Sequence, residues 1–253
     1  MSAAEKLADA GAAQVFHSDW RDLLPVAAAC NALIVDAPYS QRTHSGHGTQ
    51  ERWGTSLPPT HDGGQRREIN YQAWGDADVR AFVEAWTERV GGWMVSITDD
   101  VLAPVWRAEF ERVGRMAFAP IPFVAPGSRV RLAGDGPSCW TVYIMVARPR
   151  TREMSRWGTL PGAYVLPPGF AERMKVVGGK PLWLMERLVE DYSRPGDLIV
   201  DPCCGVGTTL AAAVRTGRRA IGGDVMREHA EAAAQRLRQP QQSPLFVTGR
   251  SVA

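Results

Sequence analysis

The chain has 253 residues, 45% hydrophobic and 22% charged, with a net charge of only +2. That size suits one soluble domain with a good core, and the near-neutral balance excludes reading nucleic-acid binding from overall charge; a local basic face would be needed. Four cysteines (Cys30, Cys139, Cys203, Cys204) in so long a chain exclude a disulfide scaffold, and no run is apolar enough to span a bilayer. With Glu5, Lys6 and Asp9 near its start the chain shows no secretory leader, so reduced thiols in a cytoplasmic protein without a membrane partner are expected.

In chain order, Val15–Phe16 predicts a short strand followed by Asp19, and Arg21 to Cys30 a weak helix or turn. Ala32 to Val35 is an apolar run that stops at Asp36, as a buried parallel strand would. Residues 40–75 are rich in Gly, Thr, Ser, His, Arg and Pro without periodicity, which marks a functional loop insertion. Asp76 to Val90 predicts a helix with Asp76 as N-cap and Val79, Phe82, Val83 and Trp86 on one face. Trp93 to Thr98 follows as a strand, Val101 to Val113 as a helix, and Met116 to Val124 and Cys139 to Ala147 as strands. Residues 148–180 are again irregular. Pro181 to Asp191 predicts a helix, Leu198 to Val200 a strand, Thr208 to Thr216 a helix, Ala220 to Gly222 a strand and Glu228 to Leu237 the last helix. Residues 240–253 are expected to be a flexible tail. This alternation predicts a single α/β domain over residues 1–253, with a mostly parallel central sheet flanked by helices.

Two stretches carry chemistry. Asp201-Pro-Cys-Cys-Gly-Val-Gly-Thr-Thr209 is strand, tight turn and helix; Gly205 and Gly207 let the backbone approach a ligand, and the helix offers its free N–H groups there. Some 20 residues on, Asp224 ends another strand, where an acid can accept from ribose hydroxyls. The Gly-Lys-Ser/Thr ending of a phosphate-binding loop is absent, as is the full dinucleotide glycine pattern. The second stretch, Asp36-Ala-Pro-Tyr39, follows a strand. A carboxylate, a backbone carbonyl and an aromatic ring together suit a planar amine. Asp36 and the Ala37 carbonyl would accept its two N–H bonds, Pro38 would shape the turn, and Tyr39 would stack on an extruded base.

The segment from Lys180 to about Leu237 resembles the carboxy-terminal part of the β-type DNA amino-methyltransferases. Their S-adenosylmethionine motif reads Asp-Pro-Phe-Cys-Gly-x-Gly-Thr-Thr, after a Lys-Pro pair and a helix. This chain matches at Asp201, Pro202, Cys204, Gly205, Gly207, Thr208 and Thr209 and at Lys180-Pro181; Cys203 replaces the aromatic, and Val-Val-Gly-Gly replaces His-Pro-Thr-Gln. The resemblance implies a Rossmann-like methyltransferase fold with circularly permuted motif order, the clamp first and the cofactor cradle last. It implies that Asp201, Cys203, Gly205, Gly207, Thr208 and Thr209 line the cofactor, that Asp224 holds its ribose, that Lys180 and Thr208 lie near its methionine portion and that Asp19 touches its adenine. The family clamp is Asp/Asn/Ser-Pro-Pro-aromatic, so Ala37 is a departure that keeps the carbonyl and loses the stiffness of a proline.

By that resemblance the chain is expected to methylate a flipped base in DNA at a specific site, adenine N6 favoured over cytosine N4. A catalytically impaired, cofactor-binding DNA-binding or regulatory subunit is the alternative from another class. Arg42, Arg52, Arg66 and Arg67 with Trp53, Tyr71 and Trp74 after the clamp, and Arg150, Arg152 and Arg156 in the segment at 148–180 where the family holds target recognition, are the candidate DNA contacts. A homodimer and a separate restriction nuclease are the protein partners left open, the latter as part of a restriction-modification system. No metal site is expected: His44 and His47 have no third ligand beside them.

Overall fold

The computed structural model describes residues 3–47, 71–126, 140–168, 170 and 179–239. The chain forms two compact units, one of residues 1–36, 85–95 and 179–253 and the other of residues 37–84 and 96–178.

The first unit contains β1 (Glu5–Asp9), β2 (Ala13–His17) and β3 (Ala32–Asp36). Its order along the sheet is β1, β2, then the later strands β10 (Arg219–Asp224) and β9 (Leu198–Asp201), then β3. β1 runs antiparallel to β2 at the edge, whereas β2, β10, β9 and β3 are mutually parallel. Ala32, Leu33, Ile34 and Val35 are all buried, as a strand covered on both faces requires. α4 (Leu182–Tyr192), α5 (Thr208–Arg215) and α6 (Arg227–Arg238) pack on these strands and on one another. Leu184, Met185, Leu188 and Val189 form the buried stripe of α4; of the face expected from the sequence, Leu182, Met185, Leu188 and Val189, Leu182 is only half-buried.

The second unit begins at Ala37 and holds α1 (Gln41–His47), most of α2 (Asp76–Thr87), the end of β4 (Met94–Thr98), and α3 (Ala103–Arg112). It also holds β5 (Met116–Ala117), β6 (Ile121–Val124), β7 (Thr141–Arg148) and β8 (Tyr164–Val165). β7 is antiparallel to both β5 and β6, and β8 adds in parallel to β6. The single strand expected over Met116 to Val124 is broken in two; Pro120 stands at the break and has no N–H for a ladder. The core gathers aromatics. Trp106 lies 6.2 Å from Trp74, 5.8 Å from Phe82 and 5.6 Å from Phe110 between ring centres. Four segments with no element expected from the sequence acquire structure: Glu5–Asp9 as β1, Gln41–His47 as α1, Met154–Arg156 as one 3-10 turn and Tyr164–Val165 as β8. Among the described residues no helix is long and apolar enough to cross a membrane.

Candidate active site

Because β2, β10, β9 and β3 are parallel, their carboxyl ends share one edge of the sheet. Each ends in or just before an aspartate: Asp19 two residues past β2, Asp224 at the end of β10, Asp201 at the end of β9 and Asp36 at the end of β3. Carboxyl ends of parallel strands are where open α/β sheets bind ligands. β9 and β3 are direct neighbours, so the glycine turn and Asp36 leave the sheet side by side.

The turn after β9 is tightly stitched. Gly205 N–H donates to Asp224 Oδ2 at 2.8 Å, and Cys204 N–H to the Gly223 carbonyl at 2.9 Å. Gly207, which caps α5, has φ +76°, and a Cβ there would come within 2.9 Å of Ala233 Cβ, so only glycine fits. Gly205 has φ +51°, but a Cβ there would meet nothing within 4 Å. The turn thus packs tightly on α6 at one glycine and presents open space at the other, which fits close approach of a ligand. Thr208, the first residue of α5, accepts from Arg236 Nη1 at 3.0 Å.

Lys180 is the contact that ties this edge together. Its Nζ lies 2.8 Å from Asp36 Oδ2, with its side chain only 9% exposed. The ammonium of Lys180, which the resemblance places near a cofactor, meets the Asp36 carboxylate, 144 residues away in the chain.

Asp201 is almost wholly buried. Burial pushes its carboxyl up to about 7; the Thr209 hydroxyl and Cys203 N–H oppose the shift, and the charges of Asp36 and Asp224 add to it. Asp201 Oδ1 accepts from Cys203 N–H at 3.2 Å. Asp201 and Thr209 are therefore turned toward each other inside the protein and hold the turn from beneath. Cys203 keeps part of its surface accessible, but burial first and the carboxylates of Asp201 and Asp224 next push its thiol well above the usual range. A protonated thiol is a poor nucleophile.

Asp224 is buried and accepts from Met226 N–H at 2.9 Å as well as from Gly205. His229 Nδ1 lies 3.5 Å from its Oδ1, and that contact holds the imidazole above its ordinary value against the opposing effect of burial. Asp19 is half-exposed, and its Oδ1 accepts from Arg21 N–H at 2.9 Å and from Arg21 Nη1 at 3.2 Å.

In the second unit, Ala37 is buried and Pro38 and Tyr39 are half-buried. Arg150, Arg152 and Arg156 are exposed around the 3-10 turn, and Arg42 on α1 is 3.7 Å from Asp100, both largely in solvent. Arg52, Arg66, Arg67 and Trp53 lie outside the described residues. Trp74, expected from the sequence among the aromatics that contact DNA, is instead only 8% exposed and packs on Phe82 and Trp106. Asp99, which the sequence does not single out, is buried and tied by hydrogen bonds to the segment directly after Tyr39. It accepts from Ser40 N–H and Oγ, Thr43 Oγ1 and Leu102 N–H. Its signal in the sequence is its position directly after the strand predicted over Trp93 to Thr98.

Residues 172–235 match the family model for DNA methylases of the N6/N4 type. The type II methyltransferase M2.DpnII of Streptococcus pneumoniae is 45% identical over 58 residues, 23% of this chain and 22% of that protein, so the chain matches under a quarter of its length. Among solved structures, the complex of M1.HpyAVI with S-adenosylmethionine superposes with a TM-score of 0.64 at 18% identity, covering 90% of this chain and all of that one. The cytosine-N4-specific PvuII DNA methyltransferase superposes with a TM-score of 0.58 at 14% identity over 89% of this chain and 86% of its own. Residues 172–235 therefore resemble the N6/N4 DNA methylases, within a chain that shares the fold of these solved methyltransferases.

Proposed function

We propose that this chain is a DNA methyltransferase that uses S-adenosylmethionine to methylate an exocyclic amine of a flipped base, adenine N6 in preference to cytosine N4. The observation that carries the reading is the edge shared by β9 and β3. It sets a glycine turn that accommodates close ligand approach beside Asp36, whose carboxylate is held by Lys180 at 2.8 Å.

When bound, S-adenosylmethionine supplies a methyl group on a positively charged sulfur, which departs as a neutral thioether as the new nitrogen–carbon bond forms. The turn at Gly205 to Thr208 would hold it, with Asp224 accepting from its ribose. Each carboxylate oxygen can accept more than one hydrogen bond, so Asp224 can do this while retaining Gly205 and Met226.

The protein's own work is on the base. An exocyclic amine is a weak nucleophile because its lone pair is delocalised into the ring. Asp36 and the Ala37 carbonyl would accept its two N–H bonds and hold the lone pair on nitrogen, aimed at the methyl group. Tyr39 would stack on the base outside the duplex. The methylated nitrogen then releases one proton. Asp36 favours adenine because the cytosine-N4 members of the family more often carry Ser at this position.

The test is transfer of labelled methyl from S-adenosylmethionine to unmethylated DNA, followed by digestion to nucleosides. N6-methyladenine is expected. Asp36→Ala should abolish transfer and leave cofactor affinity within about twofold, since this substitution removes the clamp and not the turn. Full transfer by the Asp36→Ala protein would overturn the assignment.

A further inference from the structure

We propose that Asp99 is a positioning residue for the clamp, fixing the peptide that follows Tyr39 so that its ring is held ready for the base. The inference rests on the reading of residues 36–39 as an amine clamp.

Asp99 stands at the end of β4 and is only 6% exposed. Its Oδ2 accepts three hydrogen bonds from the segment directly after Tyr39: Ser40 N–H at 3.0 Å, Ser40 Oγ at 2.5 Å and Thr43 Oγ1 at 2.6 Å. Its Oδ1 accepts from Leu102 N–H at 3.0 Å, and its backbone carbonyl from Ala103 N–H at 3.1 Å, at the start of α3. One carboxylate therefore joins the clamp segment to α3.

The opposite side of the same peptide is held as well. The Tyr39 carbonyl accepts from Trp74 N–H at 3.1 Å, and Ser40 and Trp74 form an isolated bridge. Both polar groups of the Tyr39–Ser40 peptide, its C=O and its N–H, are thus fixed. Trp74 packs on Trp106 of α3, the helix that Asp99 starts. The circuit closes: Asp99 holds Ser40 and α3, α3 holds Trp74, and Trp74 holds Tyr39. α1 has seven residues and no apolar stripe, so it cannot hold this segment in place by packing alone.

A carboxylate is the side chain that can accept this many donors at one position. Burial pushes the Asp99 carboxyl up, but the donors from Ser40, Thr43 and Leu102 outweigh that and hold it below its ordinary value, so it is charged at neutral pH. Loss of the acceptor would free the peptide after Tyr39, and small displacements of a positioning group can cost as much as about 100-fold in rate.

The experiment uses the full chain. Sites methylated in unmethylated phage DNA are first read by sequencing, and 2-aminopurine is then placed at the target base of a duplex carrying such a site. The wild type should enhance 2-aminopurine fluorescence on binding that duplex and transfer methyl groups to the same duplex carrying its natural target base. Asp99→Ala should lower kcat by about 10- to 100-fold and lose the enhancement, with the cofactor Kd within about twofold. Asp99→Asn, whose amide oxygen can still accept from Ser40 and Thr43, should recover most of both. If Asp99→Ala does not fold, the double variant Ser40→Ala/Thr43→Val carries the same test, since it removes two of the three bonds to Oδ2. A folded Asp99→Ala or double variant with unchanged kcat and unchanged fluorescence overturns the inference. A wild type that neither transfers methyl groups nor enhances the fluorescence overturns the underlying clamp reading instead.

Discussion

Replacing Asp201 by asparagine isolates the charge problem at the strand edge. Asp201 is 1% exposed, and its carboxyl is pushed from the usual 3.8 up to about 7. The sign follows from proton counting. Between about pH 4 and 7 the unfolded chain has released this proton and the native protein has kept it, so stability is fully present below 3.8 and is lost as pH rises through about 7. The loss is about 1.4 kcal/mol per pH unit, or roughly 3 kcal/mol between pH 5 and 7.5. Asparagine has the shape of the protonated acid: its oxygen can accept from Cys203 N–H, and its NH₂ can face the Thr209 hydroxyl, which can turn from donor to acceptor. It does not titrate. The assay is thermal unfolding of both proteins from pH 5 to 9. For a chain of this size about 2–4 °C accompanies each kcal/mol. The variant's Tm relative to wild type should therefore climb by about 5–10 °C from pH 5 to 7.5 and then level off. A difference in Tm that does not change with pH would refute the reasoning.

Three further outcomes follow from the same edge. Gly207→Ala forces a side chain into φ +76° and to within 2.9 Å of Ala233 Cβ, so it should lower Tm by about 5–10 °C and weaken S-adenosylmethionine binding measured by calorimetry; Gly11→Ala, at φ +71° with nothing within 4 Å, should show a smaller drop and normal binding. Lys180→Gln removes the ammonium 2.8 Å from Asp36 and should reduce methyl transfer by about 10-fold or more, with Lys180→Arg recovering part of it; a loss of transfer no larger than the loss of cofactor occupancy would contradict the role given to Lys180. His229 is held above its ordinary 6.5 by Asp224, so the stability it adds should be present below pH 6.5 and vanish as pH rises past its native value. Wild type and His229→Asn should accordingly differ in Tm at pH 5.5 and converge at pH 8.5.

How much of this was legible in the sequence follows from which forces act locally. α2 and α4 were readable because their buried stripes recur at helical spacing, and β3 and β9 because an apolar run, four residues in β3 and three in β9, stops at an acid. β1 was not, because Glu-Lys-Leu-Ala-Asp has no alternation of its own and is made a strand by pairing with β2. α1 was not, because Gln41–His47 has no apolar stripe; its start is held by Asp99, 59 residues away from Ser40. Trp74 was misjudged because an aromatic in a polar stretch looks the same whether it faces DNA or, as here, Phe82 and Trp106.

The acids of the edge show the same division most sharply. Asp36, Asp201 and Asp224 each read correctly as the end of a strand, yet nothing local says that they share one region of the sheet. Once the parallel order of β10, β9 and β3 brings them together, three carboxylates near one turn would repel one another strongly in a partly dry setting. The protein relieves this differently at each. Asp36 is met by the Lys180 ammonium, Asp224 by the amides of Gly205 and Met226 and by His229, and Asp201 by keeping its proton up to about pH 7. Of the three, Asp36 is the one met by a lysine ammonium, a compact charge on a four-carbon stem. Under the proposed function, Asp36 would exchange that ammonium for a substrate amine while Asp201 and Asp224 keep the turn in shape.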